Sequence, residues 1–393
     1  MISAHLASLT FIMVKFIIYL STMFIISLKI KTSQKKAQWS INKIYKQPVE
    51  DDMNFLKKAT ALVLVLAMFA VFAACSETAP AAAESETSEA SADEQIYIGF
   101  VQIGAESDWR MANTKSMQDT FTRDKGYKFE MVDCQQQTRK QITAIRDFIQ
   151  KGVDYIVLAP NTEAGWDTVL GEAKEAGIPV IIVDRMIDTA DENLFRAWVG
   201  SDFKQEGYDA VTALATVLYD IRGISRDEEI NIVTLQGTMD STAQIGRTDG
   251  FKEKMAEYPN WKMLDRQSGE FTQERGQEVM KSFLKSYEDI DVVIAENDNM
   301  AFGAIAAIEA AGKTCGLEGD IVMLSFDAVK AAFEMMIAGK IDVDVECNPL
   351  HGPRVEGIIQ ALEAGKEVEK ILYVTEETFY AADAERIMPT RAY

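Results

Sequence analysis

Polar side chains gather where short apolar runs stop. After Ile96–Val101 comes Gly104-Ala105-Glu106-Ser107-Asp108-Trp109-Arg110. After Phe129–Val132 comes Asp133-Cys134-Gln135-Gln136-Gln137, and Val180–Val183 ends in Asp184-Arg185. The second half repeats the pattern with Gln236-Gly237-Thr238 and, further on, Arg247. It continues with Ser268-Gly269-Glu270-Phe271, Glu296-Asn297-Asp298 and Ser325-Phe326-Asp327. Planar carboxylate, amide and guanidinium groups make paired hydrogen bonds to adjacent hydroxyls, and an aromatic face covers an apolar C–H surface. Together these types suit non-covalent capture of a neutral polyol. One such residue alone is a helix N-cap or a surface ion pair; recurrence in both halves carries the joint reading.

Other chemistries find less support. Gly312-Lys313-Thr314 has the tail of a phosphate loop, but Ala307 stands where its leading glycine belongs, so the segment reads as a helix stop. No Gly-x-Gly-x-x-Gly follows the first apolar run, which argues against a dinucleotide enzyme. Asp188, Asp191 and Glu192 lack the glycine of a calcium loop and read as a solvated turn. Glu376-Glu377 could suggest glycosidase carboxylates, but the pair sits far from the run-end pattern. The chain has two His and four Cys, and His351 is the only His beyond the N-terminal region. A multi-His metal centre, a zinc ribbon, a disulfide framework and His-based catalysis are all disfavoured. No cofactor and no metal are expected, nor an enzyme activity.

The elements that must position these residues alternate. Ile96–Val101, Phe129–Val132, Tyr155–Leu158 and Pro179–Val183 read as strands. Met111–Thr122, Ile142–Ile149 and Ala164–Ala176 have helical spacing between them. The same grammar restarts at Ile230–Leu235 and continues through Lys262–Arg266, Val292–Ala295, Ile321–Leu324 and Ile341–Val345. Continuous apolar strands separated by helices predict parallel sheets covered on both faces. The expected fold is therefore α/β, with two doubly wound Rossmann-like lobes and ligand held beyond the carboxyl ends of the strands.

The 393 residues are 48% hydrophobic and 26% charged, which excludes a largely disordered chain. Residues 76–393 hold 31 basic and 58 acidic side chains, a net charge of −27. A surface so acidic repels phosphate backbones, so no nucleic-acid partner is expected.

The N-terminal quarter concerns targeting. Met53-Asn54-Phe55-Leu56-Lys57-Lys58 precedes an apolar stretch, Ala59–Ala74, that closes on Phe72-Ala73-Ala74-Cys75-Ser76. These are the parts of a secretory signal, residues 53–74. The ending resembles a bacterial lipobox in which Cys75 carries lipid, with Phe72 where Leu is usual. The alternative is a single membrane anchor, for which 16 apolar residues are short. Residues 1–52 then read as an upstream extension from a misassigned start, or, through Leu6–Leu28, as a true spanning helix. Residues 75–95 have the composition of a flexible acidic tether.

On the segments already quoted, with Arg247-Thr248-Asp249-Gly250-Phe251, Gln267-Ser268-Gly269-Glu270-Phe271-Thr272 and Asn297-Asp298-Asn299-Met300, residues 96–393 resemble the periplasmic-type sugar-binding proteins of ABC importers. Within the ribose/galactose group they are most similar to the galactofuranose-binding branch. The resemblance implies a type I periplasmic-binding-protein fold with a three-crossing hinge near Asp202, Glu346 and Tyr373. The first lobe would be about 95–200 plus 347–372, and the second 201–346 plus 373–393. It implies sugar contacts from Glu106, Trp109, Arg110, Gln136, Asp184 and Arg185. From the second lobe it implies contacts from Arg247, Phe271, Asn297, Asp327 and Glu346. Glu346 stands where ribose receptors use Gln and Ala159 where they use Asn, which speaks against ribose. Trp109 and Phe271 are expected to sandwich the sugar, with Trp261 on the second lobe's surface. The implied partners are a monosaccharide, importer permease subunits and, through the lipid, the extracytoplasmic face of the cell membrane; the protein would act as a monomer.

Two further readings stay open to different degrees. A repressor of this fold would need a DNA-binding helix pair and a basic face, and neither is present in the sequence. A receptor that presents its closed form to a sensor kinase or chemoreceptor would need the same residues as an importer receptor.

Overall fold

The computed structural model describes residues 95–393; Cys75, the signal segment, the upstream extension and the tether lie outside the described residues. From its start the chain alternates β1 (Ile96–Gln102), α1 (Asp108–Thr120), β2 (Tyr127–Asp133), α2 (Thr138–Lys151), β3 (Tyr155–Leu158), α3 (Asp167–Glu175), β4 (Val180–Val183) and β5 (Ala197–Gly200). It then crosses into α4 (Phe203–Ala215), β6 (Ile230–Gln236), α5 (Thr242–Met255), β7 (Trp261–Ser268), α6 (Gln273–Ser286), β8 (Val292–Ala295), α7 (Asp298–Ala310), β9 (Val322–Asp327), α8 (Lys330–Ile337) and β10 (Val343–Glu346). It returns through α9 (Gly352–Glu363) and β11 (Ile371–Tyr373), then crosses once more to β12 (Thr378–Tyr380) and α10 (Ala381–Ile387).

Two six-stranded sheets result, ordered β11-β5-β4-β3-β1-β2 and β12-β10-β9-β8-β6-β7. The first is parallel throughout, and the second is parallel except for β12, which runs antiparallel to β10. β3, β4, β5, β8, β9 and β10 are buried along their whole length, as strands covered by helices on both faces must be. The strand order reverses between β1 and β3 in one sheet and between β6 and β8 in the other. Such reversals open a crevice beyond the carboxyl ends.

The parallel strands and two-lobe architecture expected from the sequence are present, with instructive differences. β5 is absent from the expectation: it is four residues long, holds a Gly, and is visible only through its pairing with β4 and β11. α1 begins at Asp108 rather than Met111 because the Ser107 side chain accepts from the Arg110 N–H and fixes the start. β9 runs on past Leu324 to Asp327 because Ser325 and Asp327 are polar yet buried. Tyr373 still pairs in the first sheet, so the third crossing falls at residues 374–377. Trp261, expected on the surface, is buried and stacks on Tyr258 with ring centroids 4.4 Å apart.

One buried acid pair sits under the second sheet. Asp298 accepts from Ser325 Oγ at 2.5 Å and from the Val329 N–H at 2.9 Å, and Asp344 Oδ1 accepts from the Ala328 N–H at 3.0 Å. Burial raises both carboxyls, Asp298 well above its ordinary range and Asp344 to about 7. A carboxyl raised in the folded state is fully stabilising below its unfolded value of about 4, and that stability is lost as pH rises through its folded value. Asp344→Asn, which keeps the acceptor without the charge, should therefore raise Tm at pH 8 by a few degrees and change little at pH 5. Thermal melts at the two pH values test this; an equal effect at both would show that the pair's charge does not matter.

Candidate functional site

Each lobe brings a buried arginine to the crevice, and each arginine is compensated from two separate elements. Arg110, one turn into α1, reaches Glu106 Oε1 through Nε at 2.9 Å and Asp184 Oδ2 through Nη2 at 2.6 Å. Arg247, on α5, reaches Glu206 Oε2 through Nε at 2.6 Å and lies 3.7 Å from Asp327 Oδ1. Its Nη1 also donates to the Glu296 carbonyl. Burial works against both guanidinium charges, but the facing carboxylates outweigh it and hold both well above the ordinary arginine range.

Arg185 is different. Burial is its dominant influence and pulls it down to about 10, because Asp184 lies 4.0 Å away and is already engaged by Arg110. Its Nη1 donates to the Asn161 carbonyl at 2.7 Å, and its guanidinium sits over the Phe271 ring of the opposite lobe at 5.3 Å. Burial raises Asp327 well above its ordinary value despite Arg247. Burial likewise opposes the Asp184 charge, but Arg110 and Arg185 overcome it and the carboxyl is lowered.

The aromatic residues are locked in place. Trp109 follows Asp108 on α1; its indole N–H donates to the Cys347 carbonyl at 2.6 Å and its ring meets His351 edge-on. Phe271 follows β7 with φ +61° and lies over Gly237. A Cβ at Gly237 would come within 1.9 Å of the Phe271 ring, so only glycine allows this approach. Asn297 caps α7 through Oδ1, at 2.9 Å from the Met300 N–H, and donates through Nδ2 to the Phe271 carbonyl at 3.1 Å.

These groups enclose one small cavity between the lobes. Nine of the eleven residues expected as ligand contacts line it: Glu106, Trp109, Arg110, Asp184, Arg185, Arg247, Phe271, Asn297 and Asp327. Two do not. Gln136 is turned by φ +58° so that its N–H donates to the Ile103 carbonyl. The Glu346 carboxylate is held by Arg391 at 2.8 Å and the Tyr393 hydroxyl at 2.6 Å, away from the cavity.

The sequence reading missed Ser107, Phe203, Ala243 and Cys347 in the lining, and Glu206 behind it. Glu206 left a usable signal. It falls at helical spacing with Phe203 and Ala210, on the buried face of α4. A carboxylate in an apolar stripe requires a cation, here Arg247. Cys347 left none, because it gains its position only from a crossing between lobes.

Residues 98–351 match the family described as periplasmic binding protein domain. The galactofuranose-binding protein of Escherichia coli (strain K12) is 37% identical over 295 residues, 74% of this chain and 89% of that protein. A Mycobacterium smegmatis protein solved with β-D-fucofuranose aligns at TM-score 0.72 and 41% identity, covering 76% of this chain and 95% of that one. The binding component of the arabinose ABC transporter of Shewanella sp. ANA-3, solved with α- and β-L-arabinofuranose, aligns at TM-score 0.70 and 37% identity over 75% and 95% of the two chains.

The Gly237–Phe271 contact yields a direct test. Gly237→Ala should cost about 1–3 kcal/mol by overpacking, and the cost should largely vanish in a Phe271→Ala background. Urea denaturation of the four proteins of this cycle measures it. The same cost in both backgrounds would mean that the ring is not what the added methyl meets.

Proposed function

The chain belongs to the periplasmic binding protein domain family, and from that premise we propose that it captures a galactofuranose-like monosaccharide between its lobes and delivers it to an ABC-type importer. The observation that carries the reading is the pairing of two buried arginine–carboxylate units, one from each lobe, across the cavity between them. Fixed guanidinium and carboxylate groups offer donors and acceptors at once, which matches vicinal hydroxyls. Trp109 and Phe271 supply the apolar faces. The furanose preference rests on the galactofuranose, fucofuranose and arabinofuranose named for the similar proteins.

In this reading the nine expected residues that line the cavity contact sugar and none performs covalent chemistry. The chain is a receptor rather than an enzyme. The lobes are the segments 95–200 with 347–373 and 201–346 with 374–393, and they turn about residues 201–202, 347–351 and 374–377. An extracytoplasmic place of action follows from the family. Anchoring by lipid on Cys75 and action as a monomer belong to the proposal, and no helix among the described residues is long and apolar enough to cross a membrane.

Arg185→Ala should weaken sugar binding by about 2–5 kcal/mol while leaving the fold intact. Arg110 still neutralises Asp184 when Arg185 is gone, so stability should change less than affinity. Calorimetry of both proteins with D-galactose, L-arabinose and D-fructose, each of which supplies some furanose in solution, provides the test. Wild-type affinity in a folded Arg185→Ala protein, or no heat with any sugar, would overturn the assignment.

Cys75→Ser should move the protein from the membrane to the soluble fraction, because the acyl chains of a bacterial lipoprotein supply the hydrophobic hold. Fractionation of cells expressing both forms decides it; equal membrane retention would refute lipidation at Cys75.

A further inference from the structure

The three crossings between lobes converge on a cluster that shares only Cys347 with the lining of the sugar cavity. Ser201 lies on the first crossing, Cys347 on the second and Glu376 on the third, and Glu206 reaches them from the first full turn of α4. Ser201 Oγ donates to Glu376 Oε1 at 2.6 Å and lies 3.3 Å from Cys347 Sγ; the Asn348 N–H also donates to Glu376 Oε1, at 2.7 Å. One ligand atom each from Glu206, Cys347 and Glu376 lies within 4.8 Å of the others. Glu206 is almost wholly buried, with Oε2 taken by Arg247, yet its Oε1 has no hydrogen-bond partner. A buried carboxylate oxygen left bare in this way is costly and calls for a proton or a cation.

A route to the cluster exists. A cavity of about 230 Å³, separate from the sugar cavity, opens beside it and is lined by Asp202, Glu206, Asp209, Glu346, Glu376 and Glu377. Among the described residues, no lysine or arginine lines it. Glu346 is neutralised by Arg391, but the remaining carboxylates give the cavity the sign that concentrates cations.

We propose that Glu206, Cys347 and Glu376 form a divalent-cation site of the zinc class at the hinge. One thiolate and two carboxylates are a ligand set for zinc, with the fourth position left to water or to Ser201 Oγ. Metal–ligand bonds of about 2.0–2.3 Å place tetrahedral ligand atoms roughly 3.3–3.6 Å apart. Binding would therefore draw the cluster together. Because two of the ligands stand on different crossings, the ion would favour one hinge angle and so bias the protein between its open and closed forms. The thiol proton leaves to solvent as the ion binds.

The test uses the purified protein after chelator treatment, titrated with Zn²⁺ alone and, separately, with Co²⁺ alone. The expected result is one Zn²⁺ per chain, a Tm that rises with Zn²⁺ concentration, and a near-ultraviolet thiolate-to-Co²⁺ absorption band. Glu376→Gln should weaken Zn²⁺ binding by about 10-fold or more. Cys347→Ala, which leaves the other cysteines in place, should abolish the band. Absence of both the Tm rise and the band in the wild type overturns the proposal. So does equal Zn²⁺ affinity in wild type and Glu376→Gln, or a band that survives Cys347→Ala, since either places the ion elsewhere.

Discussion

A guanidinium stripped of water needs its charge compensated, and at Arg110 and Arg247 the placement of the residues around the crevice follows from that requirement. Arg110 and Arg247 are both almost fully buried, where an uncompensated charge would cost several kcal/mol. Arg110 draws one partner from the loop four residues earlier and one from the end of β4. Arg247 draws one from α4 and one from the end of β9. Each ion cluster therefore ties a helix to a sheet and fixes the end of a strand relative to the helix beside it. Removing one member would strand the others, which makes these positions structural.

The strand ends meet that requirement through backbone conformations that side chains rarely adopt. Asp184, Phe271 and Asp327, all in the cavity wall, have φ of +65°, +61° and +110°. Each costs about 1–3 kcal/mol and persists only where surrounding contacts hold it. Here the contacts are visible: Arg110 on Asp184, the Asn297 amide on the Phe271 carbonyl, and Arg247 beside Asp327. The sharp turns aim side chains across the crevice that an extended strand would have sent into the sheet faces.

Direct contacts between the lobes are few. The Asp108 N–H donates to Asn299 Oδ1, the Met186 N–H to Thr242 Oγ1 and the Glu163 N–H to the Asp240 carbonyl. Each is an ordinary hydrogen bond, worth about 1 kcal/mol net. Arg185 over Phe271 adds one cation–π contact. Bonds this few add little to the covalent link that the three crossings make between the lobes.

The sequence alone settled the order of nine of the twelve strands, because alternating buried strands and helices leave a local trace of apolar runs and helical spacing. It also marked most of the cavity wall, since in a parallel sheet chemistry collects at strand ends and strand ends are visible as the places where apolar runs stop. It could not separate Asp184 from Glu346, two acids that both end strands. Their fates were decided by Arg110 and by Arg391, partners 74 and 45 residues away in the chain. Nor could it place β5 or the hinge cluster. A four-residue strand exists only through its neighbours, and Glu206, Cys347 and Glu376 meet only because three crossings run side by side. Periodicity reports which face of an element is buried; it carries no information about what lies against that face, and that is where tertiary packing chose the partners of every buried charge.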